Sequence, residues 1–225
     1  MIKSPLNELF DDVFIINLVT RKDKLDIVSK NFDDNNIKYQ IFNAIRPMDI
    51  MINPNYQQYK EFDFNRLGAI ACTMSHKHLL EEALKNNKSV LICEDDLFFC
   101  NNFNNDFSEK LKSLPSDWNV LHLGYNRNAS YIYTHNLAKF NKINDHWETF
   151  DMFSGCTCWG FKPEVIPVVL EYLNSYPIQN MFNSLQIDLN MACMGLYHDP
   201  RIKMYSTVDP LVFPQMIGQS DTGLN

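Results

Sequence analysis

Three consecutive acidic residues, Glu94, Asp95 and Asp96, directly follow an apolar run from Ser89 to Cys93. The run has the length and the β-branched content of a buried strand, and open α/β sheets bind ligands beyond the carboxyl ends of their strands. Glu94 and Asp96 can converge on one hard cation, while Asp95 faces elsewhere or adds a ligand. Such carboxylates suit Mn²⁺ or Mg²⁺ held together with substrate phosphates. The alternative is a solvated loop or the first turn of a helix.

A second group of polar residues lies on the stretch that precedes this strand. Gly68, Cys72, Ser75 and His76 are spaced so that a helix places them on one face. The glycine allows close backbone approach, and the last two residues offer a hydroxyl and an imidazole. Ser75 and His76 do not form a nucleophile pair, because adjacent helical residues do not face each other. The alternative for His76 is a packed or capping side chain.

A third group lies where the first predicted strand gives way to a helix. Asn17 and Leu18 end the strand, and Arg21 and Lys24 add positive charge at the helix start. Backbone N–H groups and the helix dipole favour phosphate at such a position. The segment lacks the glycine-rich fingerprint of dinucleotide sites and P-loops, so a solvated helix start is the alternative.

Composition restricts the classes of partner and the compartment. The net charge of −7 argues against nucleic acid or an anionic membrane as the main partner. No apolar run has the length of a signal-peptide core or of a membrane span, which predicts a cytoplasmic protein. The cysteines are expected to be buried free thiols, and Cys156-X-Cys158 has no second pair at zinc-site spacing. They are Cys72, Cys93, Cys100, Cys156, Cys158 and Cys193.

The predicted elements place these groups on one α/β sheet. Strands over Asp12–Leu18 and Tyr39–Phe42 enclose an amphipathic helix, which indicates a β-α-β opening and a parallel sheet. A helix over Arg66–Lys85 leads into the strand before Glu94, and a further strand covers Asn119–Leu123. We therefore predict a mixed, mostly parallel sheet in a single domain over residues 1–225, with a tail from about residue 210 that wraps over it.

Other predictions concern the rest of the chain. Residues 47–65 are interpreted as a loop, and Tyr131–Tyr133 and Phe140–Ile143 as a hairpin. A strand is predicted over Cys156–Phe161 and a helix from Pro163. A late helix is predicted over Asn183–Met194.

Taken together and in order, these segments resemble glycosyltransferase family 25. The resemblance covers most of the chain, and its specific part is the Gly-Cys-Ser-His segment followed closely by the Glu-Asp-Asp strand end. Supporting parts are Ile15 to Leu18 with Arg21, Trp118 to Gly124, and Gln219 to Thr222.

The resemblance implies a GT-A-like nucleotide-sugar-binding domain. It implies a UDP-sugar donor, often UDP-galactose or UDP-glucose, a bound Mn²⁺ or Mg²⁺, and inversion at the anomeric carbon. On this basis Glu94 and Asp96 are the expected metal ligands, and Asp95 is grouped with the donor-binding residues. The other expected donor-binding residues are Asn17, Leu18, Arg21, Lys24, Ser75 and His76. Lys24 departs from the family's usual second arginine, and Glu94-Asp95-Asp96 is not a strict Asp-X-Asp.

An inverting transfer also needs a general base on the acceptor hydroxyl. The family pattern favours a carboxylate near the start of a late helix, so Asp188 is the first candidate and Asp151 the second. His198 could add a metal ligand, although a lone histidine near a turn is more often structural.

Two other functions stay open: a catalytically inactive UDP-sugar-binding partner subunit, and a metal-dependent sugar-nucleotide hydrolase. The acceptor is a hydroxyl of a glycan, of a lipid-linked glycan or of a protein, and the sequence does not choose among them. A cytoplasmic enzyme associated with a membrane through its acceptor, or a viral protein, fits equally well.

Overall fold

The computed structural model describes residues 3–54, 56, 64–124, 140–150, 156–175 and 198–214. Its helices are α1 (Pro5–Leu9), α2 (Lys22–Asp34), α3 (Pro47–Ile52), α4 (Phe64–Asn86), α5 (Phe103–Leu111) and α6 (Ile166–Ser175). Its strands are β1 (Asp12–Asn17), β2 (Gln40–Asn43), β3 (Val90–Glu94), β4 (Leu97–Phe99), β5 (Val120–Gly124), β6 (Phe140–Lys142), β7 (Trp147–Phe150), β8 (Cys158–Phe161), β9 (Met204–Thr207) and β10 (Val212–Pro214).

An eight-stranded sheet runs in the order β2-β1-β3-β8-β5-β9-β7-β6. Strands β2, β1 and β3 pair in parallel, and so do β5 and β9. Strand β8 lies between β3 and β5 and is antiparallel to both, and β7 is antiparallel to β9 and β6. The predicted α/β class with a mixed, mostly parallel sheet is confirmed.

Helices cover both faces of this sheet, which explains why its central strands are continuous apolar runs. Val90 and Ile92 of β3 pack with residues of α4 and α6 on one face. Leu91 and Cys93 pack with residues of α1, α2 and α5 on the other face. Side chains alternate along a strand, so Glu94 continues the row of Val90 and Ile92 and lies on the α4 side.

The interpretation of residues 47–65 as a loop is wrong at both ends. A short helix, α3, begins at Pro47, which tolerates the first helical position because its missing N–H needs no partner there. The backbone N–H of Arg46 donates to Oδ2 of Asp49 at 2.9 Å and fixes the helix start. At the other end α4 already begins at Phe64.

Two further boundaries differ from the sequence predictions. Strand β6 pairs with β7, because Oδ1 of Asn144 accepts from the backbone N–H groups of His146 and Trp147 and closes a tight turn. The expected partner, residues 131–133, lies outside the described residues. The helix expected from Pro163 begins at Ile166, since Val165 still makes a turn bond to the carbonyl of Lys162.

The cysteine prediction holds in part within the described residues. The five cysteines there form no disulfide bond with one another, and Cys93, Cys156 and Cys158 are buried as expected, whereas Cys72 and Cys100 are partly exposed. Cys193 lies outside these residues. Of the helices that the structure describes, none has the length and apolar character needed to cross a membrane. Strand β10 of the tail pairs antiparallel with β4, and the late helix predicted over residues 183–194 lies outside the described ranges.

Candidate functional site

A cleft of about 120 Å³ opens beyond the carboxyl ends of β1 and β3. Its floor comes from the residues that follow these strands, and its walls come from α4 and from the segment between β2 and α3. Five of the predicted site residues line it: Leu18, Lys24, Glu94, Asp95 and Asp96. Its other lining residues are Ile16, Ala44, Ile45, Pro47, Gly68, Ala71 and Cys72.

Asp95 is the internal anchor of the acidic triplet. Nδ2 of Asn17 donates to its Oδ2 at 2.6 Å, and Nζ of Lys24 lies 3.6 Å from its Oδ1. Both partners are buried, with 3% of Asn17 and 5% of Lys24 exposed. Asp95 therefore ties the end of β1 and the start of α2 to the end of β3, and the role of all three residues in donor binding stays a prediction.

Glu94 accepts two side-chain hydrogen bonds from α4 on the same oxygen. Nε2 of His76 lies 3.3 Å from Oε1, and the thiol of Cys72 lies 3.6 Å from it. Burial raises the pKa of Glu94, but the bonds from His76 and Cys72, with the charge of Lys24, outweigh burial and hold that pKa below its ordinary value. With 27% of its side chain exposed, Glu94 presents an ionised carboxylate to the cleft.

His76 is fully buried behind Glu94 rather than exposed in the cleft. The indole N–H of Trp159 donates to its Nδ1 at 3.2 Å. An indole nitrogen can only donate, so Nδ1 carries no proton and the proton of the neutral imidazole is on Nε2. His76 thus donates to Glu94, and Trp159 fixes the tautomer that does so.

Asp96 carries the unsatisfied charge of the cleft. Its Oδ1 is buried and has no hydrogen-bond partner among the residues that the structure describes. Burial, and next the charge of Glu94, raise the pKa of Asp96 to about 7. A buried acceptor without a donor is costly, and a divalent cation would supply the missing charge. The donor set of hard carboxylate oxygens fits Mn²⁺ or Mg²⁺.

Two predicted donor-binding residues have structural partners beside the cleft. Oγ of Ser75 accepts from the backbone N–H of Ile45 at 2.9 Å and donates to the carbonyl of Ala71 at 2.9 Å. Ser75 therefore holds a cleft wall in place from behind. The guanidinium of Arg21 binds the carboxylate of Asp23 at 2.9 Å, so its contact with a ligand stays a prediction.

The candidate bases cannot be placed, because Asp188 and Asp151 lie outside the described residues, as does the segment Gln219 to Thr222. His198 is exposed in a turn. It belongs to no group of metal-ligating side chains in the described ranges.

Sequence reasoning missed Trp159 and the wall formed by Ala44, Ile45 and Pro47. The only sequence signal for Trp159 is an aromatic residue in an apolar strand, which is typical of any core. Cys72 was noted as part of a motif, but its contact with Glu94 was not predicted.

Comparison with known proteins assigns the family. A model of glycosyltransferase family 25, described as an LPS biosynthesis protein family, matches residues 10–156. This range includes the whole cleft. The chain belongs to glycosyltransferase family 25. The resemblance inferred from the acidic triplet and the Ser-His segment is confirmed.

Curated relatives of family 25 show what kinds of protein share this region. The chain is 26% identical over 133 residues to human procollagen galactosyltransferase 2, which covers 52% of this chain and 21% of that protein. It is 27% identical over 128 residues to a putative glycosyltransferase of Acanthamoeba polyphaga mimivirus, covering 53% and 39%. It is 25% identical over 136 residues to human inactive glycosyltransferase 25 family member 3, covering 54% and 23%. The match thus spans well under half the length of each relative.

Proposed function

We propose that this chain is an inverting glycosyltransferase that moves a hexose, galactose or glucose, from a UDP-sugar to a hydroxyl acceptor with the help of Mn²⁺ or Mg²⁺. The observation that carries the proposal is the buried Oδ1 of Asp96, which has no hydrogen-bond partner among the described residues and lies under the charge of Glu94 at the carboxyl end of the sheet. Membership in family 25 supports transfer as the reaction.

Glu94 and Asp96 would hold the cation. The metal, when bound, neutralises the charge that develops on the departing diphosphate. Asp95 has a different task, since its oxygens are engaged by Asn17 and Lys24. It holds the triplet at the floor of the cleft and is not a ligand in this assignment.

Positive charge near the cleft would help to bind the diphosphate. Lys24 lines the cleft and contributes a buried ammonium group. To bind phosphate, the guanidinium of Arg21 would exchange the carboxylate of Asp23 for it. The exchange would cost little free energy, because 60% of the Asp23 side chain is solvent-exposed and exposed ion pairs contribute little to stability.

Asp188 is the proposed base that removes the proton of the acceptor hydroxyl, with Asp151 as the second candidate. The acceptor is a hydroxyl on a glycan, a lipid-linked glycan or a protein. Human procollagen galactosyltransferase 2 makes a protein hydroxyl the first acceptor to try. We also propose that the protein is cytoplasmic and that residues 1–225 form a single domain.

An inactive UDP-sugar-binding subunit is the second candidate, and it is favoured by the similarity to a human family member described as inactive. A transfer assay separates the candidates. Labelled UDP-galactose and UDP-glucose are incubated with Mn²⁺ and a panel of hydroxylysine peptides, glycans and lipid-linked sugars.

We expect sugar transfer with one donor, loss of transfer in EDTA, and loss in Asp188→Asn with donor binding retained. Donor binding with no turnover on any acceptor would favour the inactive subunit. Release of free sugar without acceptor, at a rate equal to that of transfer, would favour a hydrolase.

A further inference from the structure

Three metal-ligating side chains meet at the wall of the cleft, which Cys72 and Glu94 line and His76 supports from behind. The ligand atoms of Cys72, His76 and Glu94 all lie within 4.8 Å of one another. Thiolate, imidazole and carboxylate together are a typical zinc ligand set. Cys72 and His76 are separated by one helical turn on α4, so the backbone presents both toward the end of β3.

The hydrogen bond from Trp159 opposes metal binding by this group. A histidine that ligates a metal through Nε2 carries its proton on Nδ1 and donates it to an acceptor. Here Nδ1 of His76 faces the indole N–H of Trp159 at 3.2 Å. A proton on Nδ1 would place two donors against each other in a fully buried position, which costs free energy because neither is satisfied.

We infer that Trp159 is a positioning residue that acts through His76 in two ways. It holds the tautomer of His76 that donates to Glu94, so that the carboxylate of Glu94 is presented to a hard cation. The same tautomer prevents Cys72 and His76 from binding a soft metal together with Glu94. This inference rests on the proposed function for its first half, the presentation of Glu94. Its second half, the exclusion of a soft metal, depends on the arrangement of Trp159, His76, Cys72 and Glu94 and does not depend on donor binding.

The geometry at Glu94 supports the first half. Both side-chain hydrogen bonds from α4 end on Oε1, so the orientation of the carboxylate is fixed from one side. Oε2 has no hydrogen bond in the described ranges and is the oxygen left for a cation. Loss of such a hydrogen-bond donor to Glu94 should be measurable, because removing an outer partner of a metal ligand typically weakens metal binding by about 10- to 100-fold.

The test uses Trp159→Phe, which removes the indole N–H and keeps a ring, with Trp147→Phe as its matched control. Trp147 is equally buried and donates to the carbonyl of Lys110 at 2.8 Å, away from the cleft. Cobalt(II) replaces zinc as the probe, since a cobalt–thiolate bond gives a charge-transfer band. Ring ¹⁵N chemical shifts of histidine-labelled protein report the tautomer.

We expect the Nε2–H tautomer for His76 and no cobalt–thiolate band in the unmodified chain and in Trp147→Phe. In Trp159→Phe we expect a shift toward the Nδ1–H tautomer, a cobalt–thiolate band, and cobalt binding at least about 10-fold tighter, on the scale of outer-partner effects. The band should disappear again in Trp159→Phe with Cys72→Ser. A cobalt–thiolate band in the unmodified chain, or no difference between the two tryptophan variants, would overturn the inference.

A rescue series tests the positioning of Glu94. Gln at position 76 can still donate from its amide at the place of Nε2, whereas Leu cannot. We expect His76→Leu to weaken Mn²⁺ binding by about 10-fold or more, and His76→Gln to stay within about threefold of the unmodified chain. Equal losses in both variants, at matched thermal stability, would overturn the positioning role. If the unmodified chain binds no Mn²⁺, the proposed function fails. The cobalt and ¹⁵N measurements still decide whether Trp159 excludes a soft metal.

Discussion

Asn17, the last residue of β1, donates a hydrogen bond of 2.6 Å from Nδ2 to Oδ2 of Asp95, the residue after β3. The other oxygen of Asp95 faces the buried ammonium of Lys24 at 3.6 Å. The two ends of the parallel strands are thus joined by a polar contact directly below the cleft. Asp95 therefore has a structural role in joining the two strand ends, and the candidate metal ligands are its neighbours Glu94 and Asp96.

Substitutions of Lys24 and Asp95 should have strongly non-additive effects on the free energy of unfolding, because the two side chains form a buried ion pair. Asp95→Asn leaves the ammonium of Lys24 buried without its nearest carboxylate, which we expect to cost about 3 kcal/mol, at the lower end for buried pairs because Glu94 lies nearby. In Lys24→Met with Asp95→Asn the loss should be smaller than the sum of the single losses by more than about 1 kcal/mol.

The control for this cycle is Lys30→Met, which removes an exposed helical ion pair with Asp34 at 2.6 Å. It should change the free energy of unfolding by less than about 0.5 kcal/mol. Urea unfolding in EDTA measures all four variants, and additive losses at Lys24 and Asp95 would contradict the assignment of Asp95 as the anchor.

Asp96→Asn should stabilise the metal-free protein at pH 8. Because folding raises the pKa of Asp96 from 3.8 to about 7, the folded state binds more protons between these values. The ionised carboxylate of Asp96 therefore destabilises the folded state. This destabilisation is absent below about pH 4, grows as the pH rises, and is complete above about pH 7. A rise of the pKa from 3.8 to about 7 corresponds to about 4 kcal/mol, so we expect a gain of up to about 4 kcal/mol at pH 8 that vanishes near pH 3.5.

Asp23→Asn gives the opposite sign and serves as the control. The hydrogen bond from Arg21 lowers the pKa of Asp23 to about 2, so its charged form is favoured in the folded state. Its replacement should leave stability unchanged or slightly lower at pH 8. If Asp96→Asn lowers the melting temperature at pH 8 in EDTA, Asp96 is not the unsatisfied charge of the cleft.

Ser75→Ala should loosen one wall of the cleft without disturbing the strand beneath it. The amide of Ile45 loses its acceptor, at a cost of about 1 kcal/mol. Hydrogen exchange provides an internal control, because the neighbouring amide of Ala44 donates to the carbonyl of Asn17 at 2.9 Å. We expect faster exchange at Ile45 and unchanged exchange at Ala44, and equal effects on both would contradict a local role.

A side chain at Gly160 in β8 should destabilise the protein because it would clash with the ring of Phe10. A Cβ at this position would lie 2.2 Å from Cζ of Phe10, a buried ring. Gly160→Ala should cost about 1–3 kcal/mol and perturb the strand that carries Trp159. In a Phe10→Leu background the added cost should be smaller, and an equal cost in both backgrounds, measured by thermal unfolding, would locate the strain elsewhere.

The local parts of the site could be predicted from the sequence. The apolar run ending at Glu94 identified a buried strand, because a strand covered on both faces needs apolar residues at every position. The carboxyl end of such a strand is where ligands bind, so Glu94 and Asp96 were placed correctly in a cleft. The β-α-β opening could be predicted for a different reason, because an amphipathic helical segment lies between two strand-like runs, and β1 and β2 do pair in parallel.

The contacts between distant segments could not be predicted. Trp159 meets His76 because β8 enters the sheet antiparallel beside β3, and no local periodicity encodes that order. The burial of Lys24 was missed because a lysine at a helix start is usually solvated, and here its charge is compensated by Asp95, far along the chain. The role of Ser75 likewise depends on a loop that packs against α4 from another part of the sequence.

The most direct test of the central claim is a calorimetric titration with UDP-galactose, UDP-glucose and UDP. It is done first with Mn²⁺ and then with EDTA, on the unmodified chain, Asp96→Asn and the control Asp34→Asn, an exposed acidic residue in the pair with Lys30. The account predicts metal-dependent binding that Asp96→Asn abolishes and Asp34→Asn leaves intact. UDP-sugar binding of equal strength in EDTA, or no UDP-sugar binding with Mn²⁺, would contradict it.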